Sequence, residues 1–300
     1  MARFAHVGRA FLGVAISLTA IFIVGTSWWA SNRSIHLQHA LYDRQSMGYG
    51  DLHPETLSVT TSDGLHLTGW FFQGRSTKTI VLSHCYGDNQ ATLLPWAEFL
   101  HRAGFTVFSY DLRGHGFSDG NTVTFGVKEA GDLSRVVDML SRRKDVDAKR
   151  IGALGVSLGA ATTIIAAAHD PRIKAVVDDS SYSDLQSVVD HSFQRVVGIP
   201  SFPFGPLTIK FAELQTGVNM AEIRPIDEIA LIAPRPVFVI HGLADSLVPV
   251  SDGKRLFAAA REPKTGWFVA GVDHAKTREA EGAEYTRRVV GFFEKALDGK

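Results

Sequence analysis

The sequence predicts an α/β fold in which a mostly parallel sheet has helices on both faces. After Lys78, short continuous apolar segments alternate with longer segments of helical periodicity. Strands buried on both faces lack the polar alternation of half-exposed strands, so this order is typical of a parallel sheet covered by helices. Of the 300 residues, 45% are hydrophobic, which is enough for one large α/β core plus an extra segment.

The first predicted elements form an antiparallel hairpin ahead of the parallel strands. Residues 57–60 and 65–71 flank the tripeptide Ser62-Asp63-Gly64. An Asp-Gly pair between two strand-like segments indicates a tight turn, because glycine adopts the backbone conformation that such turns require. We therefore expect the main domain to begin at about residue 56 and to extend to residue 300.

The remaining strands and helices follow in alternation. The predicted strands are residues 79–84, 105–110, 150–156, 173–177, 236–240 and 265–269, and the predicted helices are residues 92–103, 127–142, 160–169, 251–260 and 279–297. One connection is much longer than the others, at about residues 184–232. It contains a helical segment and a stretch rich in Phe and Pro at 198–206. Because long connections in compact domains usually carry function, we predict a cap over the active site.

An apolar segment lies at the N-terminus. Arg3 and Arg9 precede an uncharged run at residues 10–32. At about 1.5 Å per residue, about 20 residues cross a bilayer core of about 30 Å. We predict a membrane anchor over residues 1–32, with the N-terminus cytoplasmic and the rest of the chain extracytoplasmic. The alternative is a cleaved signal that yields a secreted protein, although the bulky Trp28-Trp29 pair lies where cleavage needs small residues. Residues 33–55 are predicted to be a linker.

Composition excludes several classes of site. Lys and Arg total 31, as do Asp and Glu, so the balanced charge gives no support for a nucleic-acid partner. Cys85 is the single cysteine, which excludes an intrachain disulfide and a multi-cysteine metal site. The 12 histidines are scattered without a zinc-binding spacing. We therefore predict neither a metal nor another cofactor.

The motif that carries the chemistry is G-x-S-x-G at residues 155–159. It follows an apolar strand and precedes a helix of small residues, and it places Ser157 on a tight strand-to-helix turn. The N–H of Leu158 lies at the helix start, where unpaired amides can stabilise an oxyanion. The motif alone is weak, because glycine and serine are common. Its position between a strand and a helix is what favours a nucleophile.

Two further residues complete a candidate triad. Asp245 and His274 each follow an apolar strand, and the order Ser, Asp, His is the one expected when a nucleophile elbow is used. His274 would accept the proton of Ser157, and Asp245 would orient the imidazole. Asp178 and Asp179, which end another strand, are the alternative acids.

Over residues 57–297 the chain resembles the α/β-hydrolase serine hydrolases that include monoglyceride-lipase-like and serine-aminopeptidase-like proteins. Besides the triad residues, the D-x-R-G-x-G-x-S turn at 111–118 and the acid-bearing segment at 235–249 carry this resemblance. The family has a second oxyanion donor in the amide after an H-G pair. This sequence has His84-Cys85-Tyr86-Gly87 there, so the resemblance implies Tyr86, with Cys85 as a departure from the pattern.

The sequence thus predicts a membrane-anchored serine hydrolase that cleaves a carboxylic ester through an acyl-Ser157 intermediate. The substrate is expected to be a small ester or a lipid-like one, with Phe202, Phe204 and Phe211 lining an acyl pocket or simply packing together. A peptidase, a thioesterase or an acyltransferase could use the same triad. From another class, a non-catalytic, membrane-tethered binding protein on the same scaffold is the alternative.

Overall fold

The computed structural model describes residues 2–43 and 52–298. Its strands are β1 (Glu55–Thr60), β2 (His66–Phe72), β3 (Thr79–Ser83), β4 (Thr106–Tyr110), β5 (Ile151–Val156), β6 (Ile173–Asp179), β7 (Val237–Gly242) and β8 (Lys264–Val269). They form one sheet in the order β1-β2-β4-β3-β5-β6-β7-β8. The pairs β1/β2 and β2/β4 are antiparallel, and every later pair is parallel. The hairpin and the parallel strands are the elements predicted from the sequence.

The helices connect these strands and cover both faces of the sheet. They are α1 (Ala2–Ile35), α2 (Leu94–Arg102), α3 (Val127–Ser141), α4 (Leu158–His169), α5 (Leu185–Ser192), α6 (Phe204–Thr216), α7 (Pro225–Glu228), α8 (Val250–Ala259) and α9 (Thr277–Leu297). Helix α9 is kinked at Gly282, where φ is 42°. The predicted fold class, an α/β-hydrolase fold, is confirmed.

The core consists of two apolar layers, one on each face of the sheet. Strand β3 shows the reason for the unbroken apolar runs, because all of its residues are buried. Val81 packs in the layer that contains α3 and α4, whereas Ile80 and Leu82 pack in the layer that contains α2 and α9. Alternate side chains of a strand point to opposite faces, so a strand between two helical layers needs apolar residues at every position.

The long connection between β6 and β7 is helical and forms a third apolar cluster. It comprises α5, a π-helical turn at Phe193–Val197, α6 and α7, with short turns between them. Ile209 and Ala212 of α6 pack in this cluster together with Ile35 of α1. The end of the N-terminal helix is therefore part of the same packing unit as the cap.

Helix α1 extends beyond the predicted anchor and docks on the domain. Ser27, Ser31 and Ile35 are fully buried, and the Ile35 carbonyl accepts a hydrogen bond from the Val123 amide at 2.9 Å. After the helix, the Tyr42 hydroxyl donates to Asp111 Oδ2 at 2.9 Å. The linker was predicted at residues 33–55, and the part of it that the structure describes is thus bound to the domain. Residues 44–51 lie outside the described residues, as do Met1 and residues 299–300.

Of the described helices, one is long and apolar enough to cross a membrane. It is the segment Arg9–Ile35, with 27 residues. Its side chains from Phe11 to Phe22 are largely exposed, whereas its last turns pack against α6. An N-terminal apolar helix of this kind is suited to be a membrane anchor or a signal sequence.

Candidate active site

Ser157 lies between β5 and α4 in a backbone conformation that few residues other than glycine adopt. Its φ is 55° and its ψ is −115°. The Ser157 amide donates to the Asp179 carbonyl at 2.9 Å, which ties the turn to the neighbouring strand β6. Such a conformation costs about 1–3 kcal/mol and persists where the surrounding structure enforces it. A strained turn between a strand and a helix is typical of a serine nucleophile that is held above the sheet.

The two flanking glycines allow the strand and the helix to approach closely. A Cβ atom on Gly155 would lie 2.1 Å from the Gly159 carbonyl oxygen, and a Cβ on Gly159 would lie 2.1 Å from the Ser83 carbonyl oxygen. Both contacts are with backbone atoms, so no side-chain rotation could relieve them. The glycines of the motif are therefore required by packing around the turn.

The structure brings Ser157, His274 and Asp245 together in one chain of hydrogen bonds. His274 Nε2 lies 2.9 Å from Ser157 Oγ, and His274 Nδ1 lies 2.8 Å from Asp245 Oδ2. Because the carboxylate accepts the Nδ1 proton, Nε2 is left as an acceptor for the serine hydroxyl. Asp245 follows β7 and His274 follows β8, so both reach the carboxyl edge of the sheet where Ser157 lies.

The environment of Asp245 keeps its carboxyl group ionised. Its Oδ1 accepts from the amides of Leu247 and Val248 at 2.9 and 2.8 Å. Its Oδ2 also lies 3.3 Å from Nε2 of a second histidine, His241. Burial by itself raises the pKa of Asp245, but the hydrogen bonds from His241 and His274 outweigh burial and hold that pKa well below its usual range. A negative charge is therefore available to stabilise an imidazolium at His274.

The alternative acids have other partners. Asp179 Oδ2 accepts from the Tyr285 hydroxyl at 2.8 Å, and Asp178 Oδ1 accepts from the Ser181 amide at 3.1 Å. Burial raises the pKa of Asp178 to about 7. His274 hydrogen-bonds to Asp245 and not to either of these carboxyls within the described structure. The geometry therefore favours Asp245 as the partner of the histidine.

The predicted oxyanion donors, Tyr86 and Leu158, both line the cavity beside Ser157. Within the described residues, neither of their amides donates a backbone hydrogen bond. Tyr86 is also fixed by its side chain, since its hydroxyl donates to the Ser34 carbonyl at 2.8 Å and its ring stacks on Phe125 at 5.6 Å. Two unpaired amides at one edge of a nucleophile can bind an oxygen that becomes negative.

Two buried histidines hold the loop that contains Tyr86. His84 Nε2 accepts from the Leu112 amide at 3.0 Å, and His115 Nε2 accepts from the Gly87 amide at 3.1 Å. Burial lowers the pKa of His84 to about 3 and also lowers the pKa of His115. Both rings are neutral acceptors at physiological pH, so the loop keeps its shape without a charged imidazole near the Tyr86 amide.

Cys85 lies in the cavity wall next to Tyr86, but its thiol is poorly suited to be a nucleophile. Burial raises its pKa well above the usual range, and a thiol reacts as its thiolate. Within the described residues, no group of three or more His, Cys, Asp or Glu side chains could hold a metal ion.

A cavity of about 880 Å³ opens at Ser157 and His274. Helices α5 and α6 and the turn after α5 supply an apolar wall, which includes Val189, Phe193, Ile209 and Ala212. Polar side chains line another part of the cavity, namely Asp88, Thr92, Lys276, Arg278 and Glu279. The cavity is therefore amphipathic, with room for an acyl chain and for a more polar group.

The three phenylalanines predicted to line an acyl pocket lie outside the cavity wall, and this corrects the sequence prediction. Phe202 is 81% exposed. Phe204 stacks on Phe193 with ring centroids 6.1 Å apart, so it supports a residue of the wall from behind. Phe211, which is half-buried, is also absent from the lining described. Apolar character predicted a cluster in the cap, but not the direction in which each ring points.

Helix α1 contributes wall residues that sequence reasoning missed. Thr26, Trp29, Ala30, Ser31 and Ser34 all line the cavity. Thr26, Ala30 and Ser34 are four residues apart and therefore lie on one face of the helix, with Trp29 and Ser31 on either side of it. This face is rich in small and hydroxyl side chains, within a segment that is otherwise apolar. That pattern could have indicated packing against protein, because a helix surrounded by lipid alone needs no such face.

The sheet order, together with a nucleophile elbow after β5 and a histidine after β8, defines the class of α/β hydrolases. The chain belongs more specifically to the prolyl oligopeptidase family, peptidase S9, whose family model matches residues 95–300.

Sequence relatives and solved structures match most of the chain. It is 28% identical over 277 residues to the uncharacterized protein YfhR of Salmonella typhi, with 86% of this chain and 87% of the relative covered. It is 32% identical to the uncharacterized protein Rv2307c of Mycobacterium tuberculosis, with 72% and 70% covered. The Pyrococcus furiosus esterase Pf2001 superposes with a TM-score of 0.74 at 25% identity, over 87% of this chain and 98% of the esterase. The protein is thus a hydrolase of the peptidase S9 and esterase type.

Proposed function

We propose that the protein is a serine hydrolase that cleaves carboxylic esters with apolar acyl groups. The observation that carries the proposal is the hydrogen-bond chain from Ser157 through His274 to Asp245, at distances of 2.9 and 2.8 Å, which opens into a cavity with an apolar wall. The esterase that superposes on the chain supports the same reaction class.

In the first half of the proposed reaction, Ser157 Oγ attacks the ester carbonyl while its proton moves to His274 Nε2. The carbonyl oxygen becomes negative and is bound by the amides of Tyr86 and Leu158. The ionised Asp245 stabilises the imidazolium and keeps its Nδ1 proton in place. His274 then donates its Nε2 proton to the departing alcohol oxygen, which leaves an acyl-Ser157 ester.

In the second half, a water molecule enters the position that the alcohol has left. His274 removes a proton from this water, which attacks the acyl-enzyme carbonyl, and the same two amides bind the oxyanion again. When the intermediate collapses, His274 returns the proton to Ser157 Oγ. The products are a carboxylic acid and an alcohol, and the enzyme is restored.

The walls of the cavity indicate which half of the substrate lies where. Val189 and Ile209 face the side formed by the cap, where an alkyl chain loses contact with water. Lys276 and Arg278 lie on the side formed by the start of α9, which suits a polar alcohol group. We infer that the acyl chain occupies the cap side and that the alcohol leaves past α9.

A peptidase is the second candidate, because the family to which the chain belongs is named for peptidases. An extended peptide carries N–H and C=O groups that need partners once they leave water. The aliphatic side chains of α5 and α6 offer none, which favours an ester with an alkyl chain. Thioesterase activity and non-catalytic binding remain alternatives that the same assay separates, whereas an acyltransferase is detected by adding an acceptor alcohol and measuring its acylated product.

The test uses the full-length protein in detergent with p-nitrophenyl esters from acetate to palmitate, alongside a p-nitroanilide peptide and an acyl thioester. We expect ester hydrolysis with an optimum at a medium or long chain, and loss of activity in Ser157→Ala. Faster cleavage of the anilide or of the thioester would replace the esterase by one of the alternatives. A folded protein inactive on all of these substrates would favour a binding role.

We also propose that α1 remains attached as a single-pass anchor, with its N-terminus cytoplasmic and the catalytic domain extracytoplasmic. The docking of Ser27, Ser31 and Ile35 supports this, because cleavage near Trp28 would remove part of the cavity wall. The measurement is the N-terminal sequence of the membrane-bound protein together with protease protection in spheroplasts. A soluble product that begins near residue 30 would instead show a secreted protein.

A further inference from the structure

The cap carries an exposed apolar tip, which we define as residues 197–206. This segment contains no Asp, Glu, Lys or Arg. Phe202 is 81% exposed and Val197 is 56% exposed. Exposed aromatic and aliphatic side chains grouped at one end of a domain are typical of a surface that contacts a partner.

The tip lies beside α1, and two contacts define its position along the axis of that helix. The Phe22 and Phe204 rings are 6.1 Å apart at 84°, an edge-to-face contact. About one turn further along both helices, the Thr208 hydroxyl donates to the Ser27 carbonyl at 3.5 Å. Helices α1 and α6 therefore run in the same direction, and the start of α6 is level with Phe22.

The length of a bilayer span then locates the tip relative to lipid. A hydrocarbon core of about 30 Å requires about 20 helical residues, so a span that begins at Ala10 ends near Trp29. Phe22 lies about 10 Å before that point, at a rise of about 1.5 Å per residue. The contact between Phe22 and Phe204 is consequently below the membrane surface whenever α1 spans the bilayer.

We propose that the cap tip inserts into the membrane beside α1 and that the acyl chain of a membrane-resident ester enters the cavity between these two elements. The partner is a lipid surface, and the substrate class is an acyl ester dissolved in that surface. The substrate half rests on the proposed esterase function, whereas the insertion half rests on the position of the tip and on the proposed role of α1 as a membrane anchor. The α1 residues Thr26, Trp29 and Ala30 line the route because they face the cavity and lie within about 12 Å of Phe22 along the helix axis.

Charges around the tip fit a membrane boundary. Arg33 lies beyond the Trp28-Trp29 pair and is exposed. Lys210 is about 9 Å further along α6 than Phe204, at a rise of about 1.5 Å per residue, and it is also exposed. Both cations fall near the level of the lipid headgroups, where long basic side chains are favourable.

The backbone of the tip also suits a medium without water. Pro200, Pro203 and Pro206 have no N–H to satisfy. The Gly205 amide donates to the Ser201 carbonyl at 2.6 Å, and the Ile199 amide donates to the Phe193 carbonyl at 3.2 Å. A segment with few unpaired donors can enter the interface at low cost.

The first experiment tests insertion without any assay of activity. Full-length protein with Phe202→p-benzoylphenylalanine is reconstituted into vesicles of phosphatidylethanolamine and phosphatidylglycerol and then irradiated. Leu214→p-benzoylphenylalanine is the matched control, because Leu214 is 69% exposed on α6, which begins two residues after Phe202, but lies about 15 Å further along the axis than the start of that helix. We expect lipid adducts at position 202 and few at position 214. Equal labelling, or none at position 202, would overturn the insertion.

The second experiment tests substrate entry. Phe202→Asp is expected to lower hydrolysis of a long-chain ester embedded in vesicles by about tenfold, because a charge opposes insertion of the tip. Hydrolysis of water-soluble p-nitrophenyl acetate should not change, and Leu214→Asp should affect neither substrate. Equal loss on both substrates, or no loss on the vesicle substrate, would overturn the entry route. If wild-type protein cleaves no ester although position 202 labels lipid, the esterase proposal fails while insertion stands.

Discussion

At the scale of single residues, Asp245 supplies the negative charge next to His274. It receives four hydrogen-bond donors, from two amides and two histidines, and it is completely buried. Its partner His241 lies at 3.1 Å from the Val248 carbonyl, so the Nε2 proton of that histidine is shared between a carbonyl and the carboxylate. This arrangement orients both Asp245 and the ring of His274.

Replacing Asp245 by Asn should lower kcat for ester hydrolysis by about 10³–10⁴-fold, because the amide no longer fixes the Nδ1 proton of His274 or balances an imidazolium. The control is Asp273→Asn, since Asp273 bonds backbone amides of the same loop and not the imidazole. Steady-state kinetics on one ester, with circular dichroism to check folding, makes the comparison. A small effect at Asp245 and a large one at Asp273 would contradict the assignment.

At the scale of elements, the packing of α4 against the end of β3 depends on Gly159, because a Cβ there would lie 2.1 Å from the Ser83 carbonyl oxygen. Gly159→Ala should lower the free energy of unfolding by about 3 kcal/mol or more, since overpacking against backbone cannot be relieved by a rotamer change. Gly131→Ala in α3 is the control, because a Cβ at Gly131 meets no atom within 4 Å. That variant should be neutral or more stable by up to about 1 kcal/mol. Urea denaturation measures both, and equal effects would contradict the packing account.

Helix α1 has a proposed role as a membrane anchor and also lines the cavity. A substitution at Ala30 tests the contribution to the cavity separately from the anchor. Ala30→Phe should fill part of the cavity. It should lower kcat/KM for p-nitrophenyl palmitate relative to that for p-nitrophenyl acetate by about tenfold or more. Val24→Phe is the control, since Val24 is 48% exposed and does not line the cavity. The assay is the p-nitrophenyl ester series. An unchanged chain-length profile in Ala30→Phe would show that α1 does not bound the acyl site.

Sequence periodicity predicts which segments form strands and helices, but not how distant segments pack together. Continuous apolar runs predicted the parallel strands within about two residues, because burial on both faces leaves a local signature. The docking of α1 on α6 has no comparable signature, since it depends on contacts between segments far apart in the chain. Phe202 was predicted either to line an acyl pocket or to pack with Phe204 and Phe211, and its exposure reflects a direction that local sequence does not encode.

At the scale of the whole molecule, stability should vary with pH through the buried carboxyl of Asp178. Burial raises its pKa to about 7, whereas an unfolded aspartate has a pKa of about 4. The folded protein therefore keeps a proton that the unfolded chain loses. This contribution to stability is full below about pH 4 and is lost as the pH rises through about 7.

The matched variant is Asp178→Asn, which keeps an acceptor for the Ser181 amide and cannot ionise. Between pH 5 and pH 8, the free energy of unfolding of the wild type should fall by about 1–3 kcal/mol more than that of the variant. Urea denaturation at both pH values measures the difference. Parallel changes in the two proteins would mean that Asp178 does not carry the proton.

The chemistry of the whole molecule converges on Ser157. In the proposed reaction, the strained turn, the hydrogen bond that the Ser157 hydroxyl donates to His274 and the two unpaired amides all serve an attack by this one oxygen. The sequence motif predicted the residue, but the cavity around it joins segments from α1 to α9 and required the structure.

The most direct measurement is therefore labelling of the full-length protein with a fluorophosphonate, followed by mass spectrometry of its peptides. We expect one phosphonyl adduct, on Ser157, that is absent from Ser157→Ala and forms much more slowly in His274→Ala. Folded wild-type protein that gives no adduct, or an adduct on another residue, would contradict the claim that Ser157 is an activated nucleophile.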